Sequence, residues 1–270
     1  MRPLNMIVCV KPVPDSRYWD RLSLDSETKL LSRQGIPIII SPLDRNALEE
    51  ALRIREARGG KLMAISMGPP NTEEILAWAF SLGADDAALL TDNAFAGADS
   101  LATAYALAGG IKKSGDFDLI LLGNESLDGS TGQVAPQLAE FLDIPHVTNV
   151  EKIDFIDEDT LRVRSRIEFG YMEIETRLPV ALAVTKEINE PRIPSLMGII
   201  RSADKKAKRW SADDLGVDKD RIGLSGSPTH VSEVTSIKVE RRGEVLAGKA
   251  DEIAQQLIEK LRAGGVLPEI

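Results

Sequence analysis

The sequence is poor in cysteine, histidine and aromatic residues. A single cysteine, Cys9, excludes an internal disulfide and is typical of a reducing compartment. The two histidines, His146 and His230, lie far apart without the spacing of metal ligands, so we expect no metal site. No Ser-His-Asp or Cys-His set stands at positions that would predict a nucleophilic catalyst.

Long apolar runs and an excess of positive charge are also missing. No apolar run approaches the ~20 residues that a membrane-spanning helix needs. The net charge of −9 argues against nucleic acid and anionic membranes as partners. The first apolar segment begins at Asn5, which leaves no room for a signal peptide, and we therefore expect a cytoplasmic protein.

Apolar segments and helical patterns alternate over the first 150 residues. The predicted strands are residues 5–10, 61–67, 87–90, 119–122 and 145–150. The predicted helices run from Asp44, as the N-cap, to a stop at Gly59, and over residues 72–82, 100–113 and 133–142, with a capping box at Thr72. A small hairpin is expected within residues 17–40. This alternation predicts an α/β fold with a Rossmann-like, doubly wound, mostly parallel sheet.

The pattern changes after residue 150. Residues 152–157 and 160–166 predict a hairpin, residues 171–177 and 179–184 predict two more strands, and all of these should extend the sheet antiparallel at one edge. Residues 231–239 form a possible strand, and residues 249–263 an amphipathic helix. We expect a nucleotide-binding domain over residues 1–205 and an extended C-terminal arm over 206–270, lying against its own domain or a partner subunit.

The predicted strands end at one edge of the sheet, where open parallel sheets bind ligands. The loop after residue 122 has the composition that a phosphate needs. Glycine at 129 and 132 permits a close backbone approach, Ser130 and Thr131 supply hydroxyls, and the next helix begins with free amides. The loop is neither a Walker A motif nor GxGxxG. An ordinary strand-to-helix loop capped by Ser130 or Thr131 is the alternative. Asn124 and Asp128 either bind a ribose or hold the turn.

Two other segments draw attention by their length and polarity. Residues 91–99 form a long loop, and Phe95 at its tip lies either buried beneath the loop or against a flat ring. Residues 185–208 contain two prolines in their first half, which keep it non-helical, and then place four apolar residues on a predicted excursion, which is typical of a binding surface. Cys9, inside an apolar run, is expected to act as a small buried hydrophobe.

The ordered motifs resemble those of the beta subunit of electron transfer flavoproteins along nearly the whole chain. The matching segments are Ile7-Val-Cys-Val-Lys-Pro-Val-Pro-Asp15, Asn46-Ala-Leu-Glu-Glu-Ala-Leu-Arg53, Ser66-Met-Gly-Pro-Pro70, Asp128-Gly-Ser-Thr-Gly-Gln-Val-Ala-Pro136, Leu178-Pro179, Asn189-Glu-Pro-Arg192, Pro194-Ser-Leu196 and Asp214-Leu-Gly-Val-Asp218. The resemblance implies an adenine nucleotide alpha hydrolase-like fold and a heterodimer with an alpha subunit, on which the C-terminal arm and helix would pack.

The resemblance also implies an adenine nucleotide at the sheet edge. In simple electron carriers of the family this nucleotide is AMP. In the electron-bifurcating branch it is FAD, reduced by NADH, with one electron passing to ferredoxin or flavodoxin and the other toward an acyl-CoA dehydrogenase-type flavoenzyme. The sequence Gly132-Gln133-Val134 and the long loop after residue 90 resemble the FAD type. Pro12 stands where bifurcating members usually have Gln, and Ser41 replaces a usual Asn, which leaves use of NAD(H) open.

The implied site residues fall into two groups. The cofactor-binding group is Cys9, Val10, Lys11, Ser41, Ser66, Met67, Gly68, Asp92, Phe95, Gly97, Asp99, Asn124, Asp128, Ser130, Thr131, Gly132, Gln133 and Val134. The partner-binding group, in which Leu196 is implied to enter a hydrophobic pocket of the dehydrogenase, is Asn189, Glu190, Pro191, Arg192, Leu196, Met197, Ile199 and Ile200. Two other classes stay possible, an ATP-hydrolysing or adenylating enzyme and a stand-alone nucleotide sensor. An ATP-hydrolysing or adenylating enzyme would need a Ser-Gly-Gly type phosphate loop near the first strand, and this chain has none there. A stand-alone sensor would leave residues 189–200 without a role.

Overall fold

The computed structural model describes residues 2–21, 23–24, 31–32, 35–230 and 243–268. The chain divides into two compact units, Met1–Ser232 and Glu233–Ile270. The predicted boundary after residue 205 therefore falls inside the first unit, because residues 208–210 add a strand to its sheet. The predicted strand at 231–239 lies outside the described residues.

The first unit consists of short strands and six helices in the part of the chain that is described. The strands are β1 (Leu4–Cys9), β2 (Pro12–Pro14), β3 (Ser23–Leu24), β4 (Leu31–Ser32), β5 (Ile38–Ile40), β6 (Gly60–Met67), β7 (Asp86–Leu90), β8 (Leu119–Gly123), β9 (His146–Phe155), β10 (Thr160–Ile167), β11 (Gly170–Arg177), β12 (Val180–Val184) and β13 (Lys208–Trp210). The helices are α1 (Pro42–Arg58), α2 (Glu73–Leu82), α3 (Ser100–Ser114), α4 (Val134–Leu142), α5 (Leu196–Ser202) and α6 (Ala212–Leu215).

The main sheet has nine strands in the order β11-β10-β9-β12-β8-β1-β6-β7-β13. The strands from β9 to β13 in this order pair in parallel, and β10 and β11 add antiparallel pairs beyond β9. After β1 the chain runs outward through β6 and β7, then crosses back to β8 on the other side of β1. The strand order reverses between β1 and β8, which makes their carboxyl ends the switch point of the sheet.

Helices cover both faces of the sheet, as the predicted doubly wound fold requires. The apolar side chains of α1 and α2 pack in one buried cluster with one face of the strands. Those of α3 and α4 pack in a second cluster with the opposite face. The central strands are buried on both faces, so their sequences are continuous apolar runs, such as Leu119-Ile-Leu-Leu122 in β8.

The antiparallel extension was predicted correctly for residues 152–157, 160–166 and 171–177 and wrongly for residues 179–184. Strands β9, β10 and β11 form the antiparallel edge. The segment predicted over residues 179–184 instead forms β12, which inserts between β9 and β8 and pairs in parallel with both. A fully apolar run such as Val180–Val184 indicates burial but carries no signal for its direction. The small hairpin expected within residues 17–40 is present as the pair β3–β4.

Two helix starts differ from the prediction. Helix α1 begins at Pro42, with Ser41 as N-cap, so the assignment of Asp44 as N-cap is wrong. Proline is favoured in the first turn because its missing N–H has no intrahelical partner there. At α2, Thr72 is the N-cap but its side chain makes no capping bond, so the predicted capping box is absent.

The second unit contains the predicted amphipathic helix, α7 (Ala250–Ala263). Its apolar side includes Leu257 and Ile258, and both are exposed. Lys260 pairs with Glu244 within the same unit. None of the helices in the described part of the chain is long and apolar enough to cross a membrane.

Candidate functional site

A buried carboxylate fastens the two strands of the switch point to each other. The backbone amide of Lys11, two residues after β1, donates to Oδ2 of Asp44 at 2.8 Å. The amide of Gly123, at the end of β8, donates to Oδ1 of the same residue at 2.8 Å. Asp44 lies in the first turn of α1, so α1, β1 and β8 meet at this side chain.

The environment of Asp44 shifts its titration. Burial disfavours the charged form and raises the pKa to about 7, although the two amide donors favour the carboxylate and limit the rise. Gly123 is packed closely here, since a Cβ atom at this position would lie 2.7 Å from Oδ1 of Asp44. The close approach of α1 to the end of β8 therefore depends on a glycine.

The loop between β8 and α4 presents backbone amides at the switch point. Ser130 and Gly132 adopt positive φ, 45° and 62°. The N-cap of α4, Gln133, makes no side-chain capping bond, and its own amide donates to the hydroxyl of Thr131 at a long 3.4 Å. Among the described residues no side chain caps the first turn of α4, in contrast to the alternative prediction of a loop capped by Ser130 or Thr131. This arrangement suits a phosphate.

Three of the predicted site residues hold this loop in place. Nζ of Lys11 donates to Oδ1 of Asp128 at 2.6 Å and to Oγ of Ser126 at 3.2 Å. Asn124 accepts a hydrogen bond from the amide of Asn149 through Oδ1 at 2.9 Å. The structure thus gives Asn124 and Asp128 turn-holding contacts, which was one of the two roles that the sequence left open.

Three buried hydroxyls around the site make no hydrogen bond with any residue in the described ranges: Ser41 Oγ, Ser66 Oγ and Thr72 Oγ1. Ser41 precedes α1, Ser66 lies near the end of β6, and Thr72 follows the β6 strand end. Gly68 approaches the last of these closely, since a Cβ there would lie 2.4 Å from Thr72 Oγ1. Buried polar atoms normally find partners, so these hydroxyls can serve a polar ligand.

The side chains at the end of β1 face the core rather than the loop. Cys9 packs in the cluster beneath α3 and α4, and Val10 in the cluster beneath α1 and α2, on opposite faces as successive strand residues must be. Burial raises the pKa of the Cys9 thiol, so the prediction of a small buried hydrophobe is confirmed. Met67 also packs against the α3–α4 side. At these three positions the strand ends offer backbone rather than side-chain groups.

The loop after β7 is tied to residues 211–229 of the same unit. Asp92 accepts from the amides of Ala94 and Ala212, and Asp99 caps α3 and accepts from the amide of Thr229. Gly97 lies against Leu224. Phe95 is buried, in agreement with the first of its two predicted positions, beneath the loop. These contacts show how the loop and the following segment are fixed, and a role beside a flavin ring stays a prediction.

A second candidate surface is built by the segment between β12 and β13. Its first half is anchored to α1. Nδ2 of Asn46 donates to the backbone carbonyl of Asn189 at 2.8 Å, and Nδ2 of Asn189 donates back to the carbonyl of Asn46 at 3.0 Å. Arg192 donates to both oxygens of Glu49, from Nε at 2.8 Å and from Nη2 at 3.1 Å, and also pairs with Glu56.

The second half of that segment is helix α5, which carries exposed apolar side chains. Leu196 is 73% exposed, and Met197, Ile199 and Ile200 are each more than half exposed. The predicted excursion is therefore present, and its apolar residues do face outward. The eight predicted partner-binding residues divide into anchoring residues, including Asn189 and Arg192, and these projecting residues. Glu190 adds to the anchor, since its carbonyl accepts from Arg53 at 3.5 Å.

Several contributors could not be found from local sequence patterns. The helical pattern after Asp44 predicts a helix cap at this residue. Its hydrogen-bond partners instead lie at the ends of two distant strands. The pairing of Glu49 with Arg192 spans 143 residues. Both residues lie within motifs that carry the family resemblance. Correlated change at the two positions among related sequences would be the signal that reveals their contact.

Comparison with known proteins finds similar sequences over nearly the whole chain. Residues 28–215 match the sequence profile of the electron transfer flavoprotein domain. The electron transfer flavoprotein subunit beta of Thermoanaerobacterium thermosaccharolyticum is 48% identical over 98% of this chain and 100% of its own length. The caffeyl-CoA reductase-Etf complex subunit CarD of Acetobacterium woodii is 39% identical over 96% of this chain and 98% of its own. Protein FixA of Bradyrhizobium diazoefficiens is 39% identical over 96% and 91%.

Proposed function

Because the chain belongs to the electron transfer flavoprotein family, as a beta subunit, we propose that it binds FAD at the switch point and relays electrons to a partner flavoenzyme. The observation that carries the proposal is the uncapped start of α4 beside a loop with positive φ at Ser130 and Gly132. Backbone amides in this arrangement favour a diphosphate.

The residues of the chain would bind and orient the cofactor. The amides of Thr131, Gly132 and Val134 would face the diphosphate, since that of Ser130 already donates to the carbonyl of Ser126. The hydroxyls of Ser41, Ser66 and Thr72 would meet polar groups of the nucleoside. Lys11, which pairs with Asp128, would add a positive charge next to the loop. FAD, when bound, supplies the electron-transfer chemistry, and no acid–base residue of this chain is required.

AMP is the alternative ligand, because it needs the same loop and the same hydroxyls. Counting the nucleotides released by denaturing the purified heterodimer separates the two. Two FAD per heterodimer supports the proposal, one FAD with one AMP supports the simple-carrier alternative, and no nucleotide contradicts both. Anaerobic addition of NADH to the FAD form, followed through the flavin absorbance, then tests whether NAD(H) is a substrate and whether ferredoxin or flavodoxin is a reasonable acceptor to assay.

Partners follow from the two apolar surfaces. The exposed side of α7 would pack on an alpha subunit. The exposed residues of α5 would bind an acyl-CoA dehydrogenase-type flavoenzyme, because exposed clustered apolar side chains mark interaction sites. The name of the CarD relative, which places that protein in a complex with a caffeyl-CoA reductase, supports a partner that acts on CoA thioesters.

A further inference from the structure

Helix α5 is held at two points, and neither uses its exposed apolar side chains. One point is Gly198, where a Cβ atom would lie 2.3 Å from the carbonyl oxygen of Ser81 at the end of α2. The other is the segment just before α5, which is fastened to α1 through Asn189 and Arg192. Without these two attachments to α2 and α1, a helix of seven residues has too few internal hydrogen bonds to stay in a fixed position.

The attachment through Arg192 consists of charge-assisted hydrogen bonds to a buried carboxylate. Glu49 is almost wholly buried, with a side chain 4% exposed, and its two oxygens accept from the guanidinium groups of Arg192 and Arg53. Burial opposes the charged form, yet these donors outweigh it and lower the pKa of Glu49. The backbone amide of Arg192 also donates to Glu49, at 3.2 Å. A planar guanidinium that already donates from all three nitrogens to two carboxylates of α1 has few N–H groups left for a partner.

We propose that Arg192 is a positioning residue, which fixes α5 for docking by binding Glu49 and Glu56 of α1, rather than a residue that contacts the partner enzyme. The inference rests on the proposed docking role of α5. The same helix α1 carries Asp44 at its other end, so the docking helix and the switch point are fastened to one rigid element.

Hydrogen exchange on the intact heterodimer tests the positioning directly. Arg192→Gln removes the charge-assisted bonds to Glu49 and Glu56, and we expect exchange of the amides of residues 196–203 to become faster by roughly tenfold or more. Amides of α3 should not change. The control is Arg201→Gln, which removes the same charge from α5 itself, since Arg201 makes no ion pair within the described ranges.

A kinetic double-mutant cycle distinguishes positioning from contact. With an acyl-CoA dehydrogenase reduced by its acyl-CoA as the electron donor, Arg192→Gln should raise KM for the dehydrogenase and leave kcat and nucleotide content unchanged. In a Glu49→Gln background, the same substitution should raise KM by less than it does in the wild type, because only the pairing of Arg192 with Glu56 is then left to lose. Unchanged hydrogen exchange in Arg192→Gln, or fully additive effects in the cycle, would overturn the proposal.

The two measurements also separate this inference from the proposed function. Hydrogen exchange requires neither a bound nucleotide nor an electron donor. If the heterodimer carries no flavin and accepts no electrons, the proposed function fails while faster exchange in Arg192→Gln still supports the anchoring of α5.

Discussion

At the scale of single residues, Asp44 joins parts of the chain that local patterns treat separately. Its carboxylate accepts one amide from the segment after β1 and one from the end of β8. Two backbone donors on one carboxylate satisfy groups that would otherwise be left unpaired at strand ends. The carboxylate therefore stabilises the frame on which the proposed nucleotide rests.

Replacing Asp44 should reveal this through the pH dependence of stability. The pKa of Asp44 is raised to about 7 by burial, so the folded state binds a proton at pH values where the unfolded chain does not. The stability of the wild type relative to Asp44→Asn should then fall as pH rises from 5 to 7, by at most about 1.4 kcal/mol per pH unit, and level off above the folded pKa of about 7. Urea unfolding of both proteins across this range measures the difference, and a flat difference contradicts the assignment.

Cys9 gives a second prediction at this scale. Because burial raises the pKa of its thiol, we expect iodoacetamide to modify Cys9 far more slowly in the native chain than in urea. Mass spectrometry of the alkylated protein measures both rates. Equal rates would show that the end of β1 is open to solvent, against the packed arrangement beneath α3 and α4.

At the scale of elements, α5 illustrates a short helix whose position comes from its neighbours. Its own sequence supplies a serine N-cap, since Oγ of Ser195 accepts from the amide of Gly198 at 3.0 Å. Its location on the molecule comes from α1 and α2. The apolar side chains are left exposed, and this is the feature that the sequence pattern predicted.

Shortening the most exposed of these side chains should weaken binding of the partner enzyme. Leu196→Ala removes an anchor that would fill a pocket of the dehydrogenase, and we expect KM for the dehydrogenase to rise about tenfold or more. The matched control is Phe169→Ala, an 89% exposed apolar residue in the turn between β10 and β11. A similar rise in KM for both variants would show that the effect is not specific to α5.

At the scale of the whole molecule, the alternating pattern was enough to predict the doubly wound sheet. Periodicity reports burial and element type, both of which are local. The parallel insertion of β12 was missed because its direction depends on pairing with β8 and β9. The edge strand β13 was missed because its three residues, Lys208–Trp210, carry too short a pattern.

The candidate site was predictable to a similar extent. The β8–α4 loop was found from its glycines and hydroxyls, which are features of composition. The contacts that fix it, such as Asp44 with Gly123, join residues 79 positions apart and leave no local trace. The tie between residues 91–99 and 211–229 is also long-range, and the second segment has low periodicity.

The nucleotide content of a Gly132→Val heterodimer tests the central claim most directly. Gly132 has a φ of 62°, and of the described residues only Asn124, through its carbonyl oxygen at 3.8 Å, lies within 4 Å of a Cβ placed there. We therefore expect a valine side chain to enter the open space proposed for the diphosphate. Gly216→Val is the control, since Gly216 has a φ of 61° with no described residue within 4 Å of its Cβ position and imposes the same backbone strain elsewhere. We predict that Gly132→Val loses the nucleotide held by this chain while Gly216→Val keeps it. Full nucleotide content in Gly132→Val would contradict the claim.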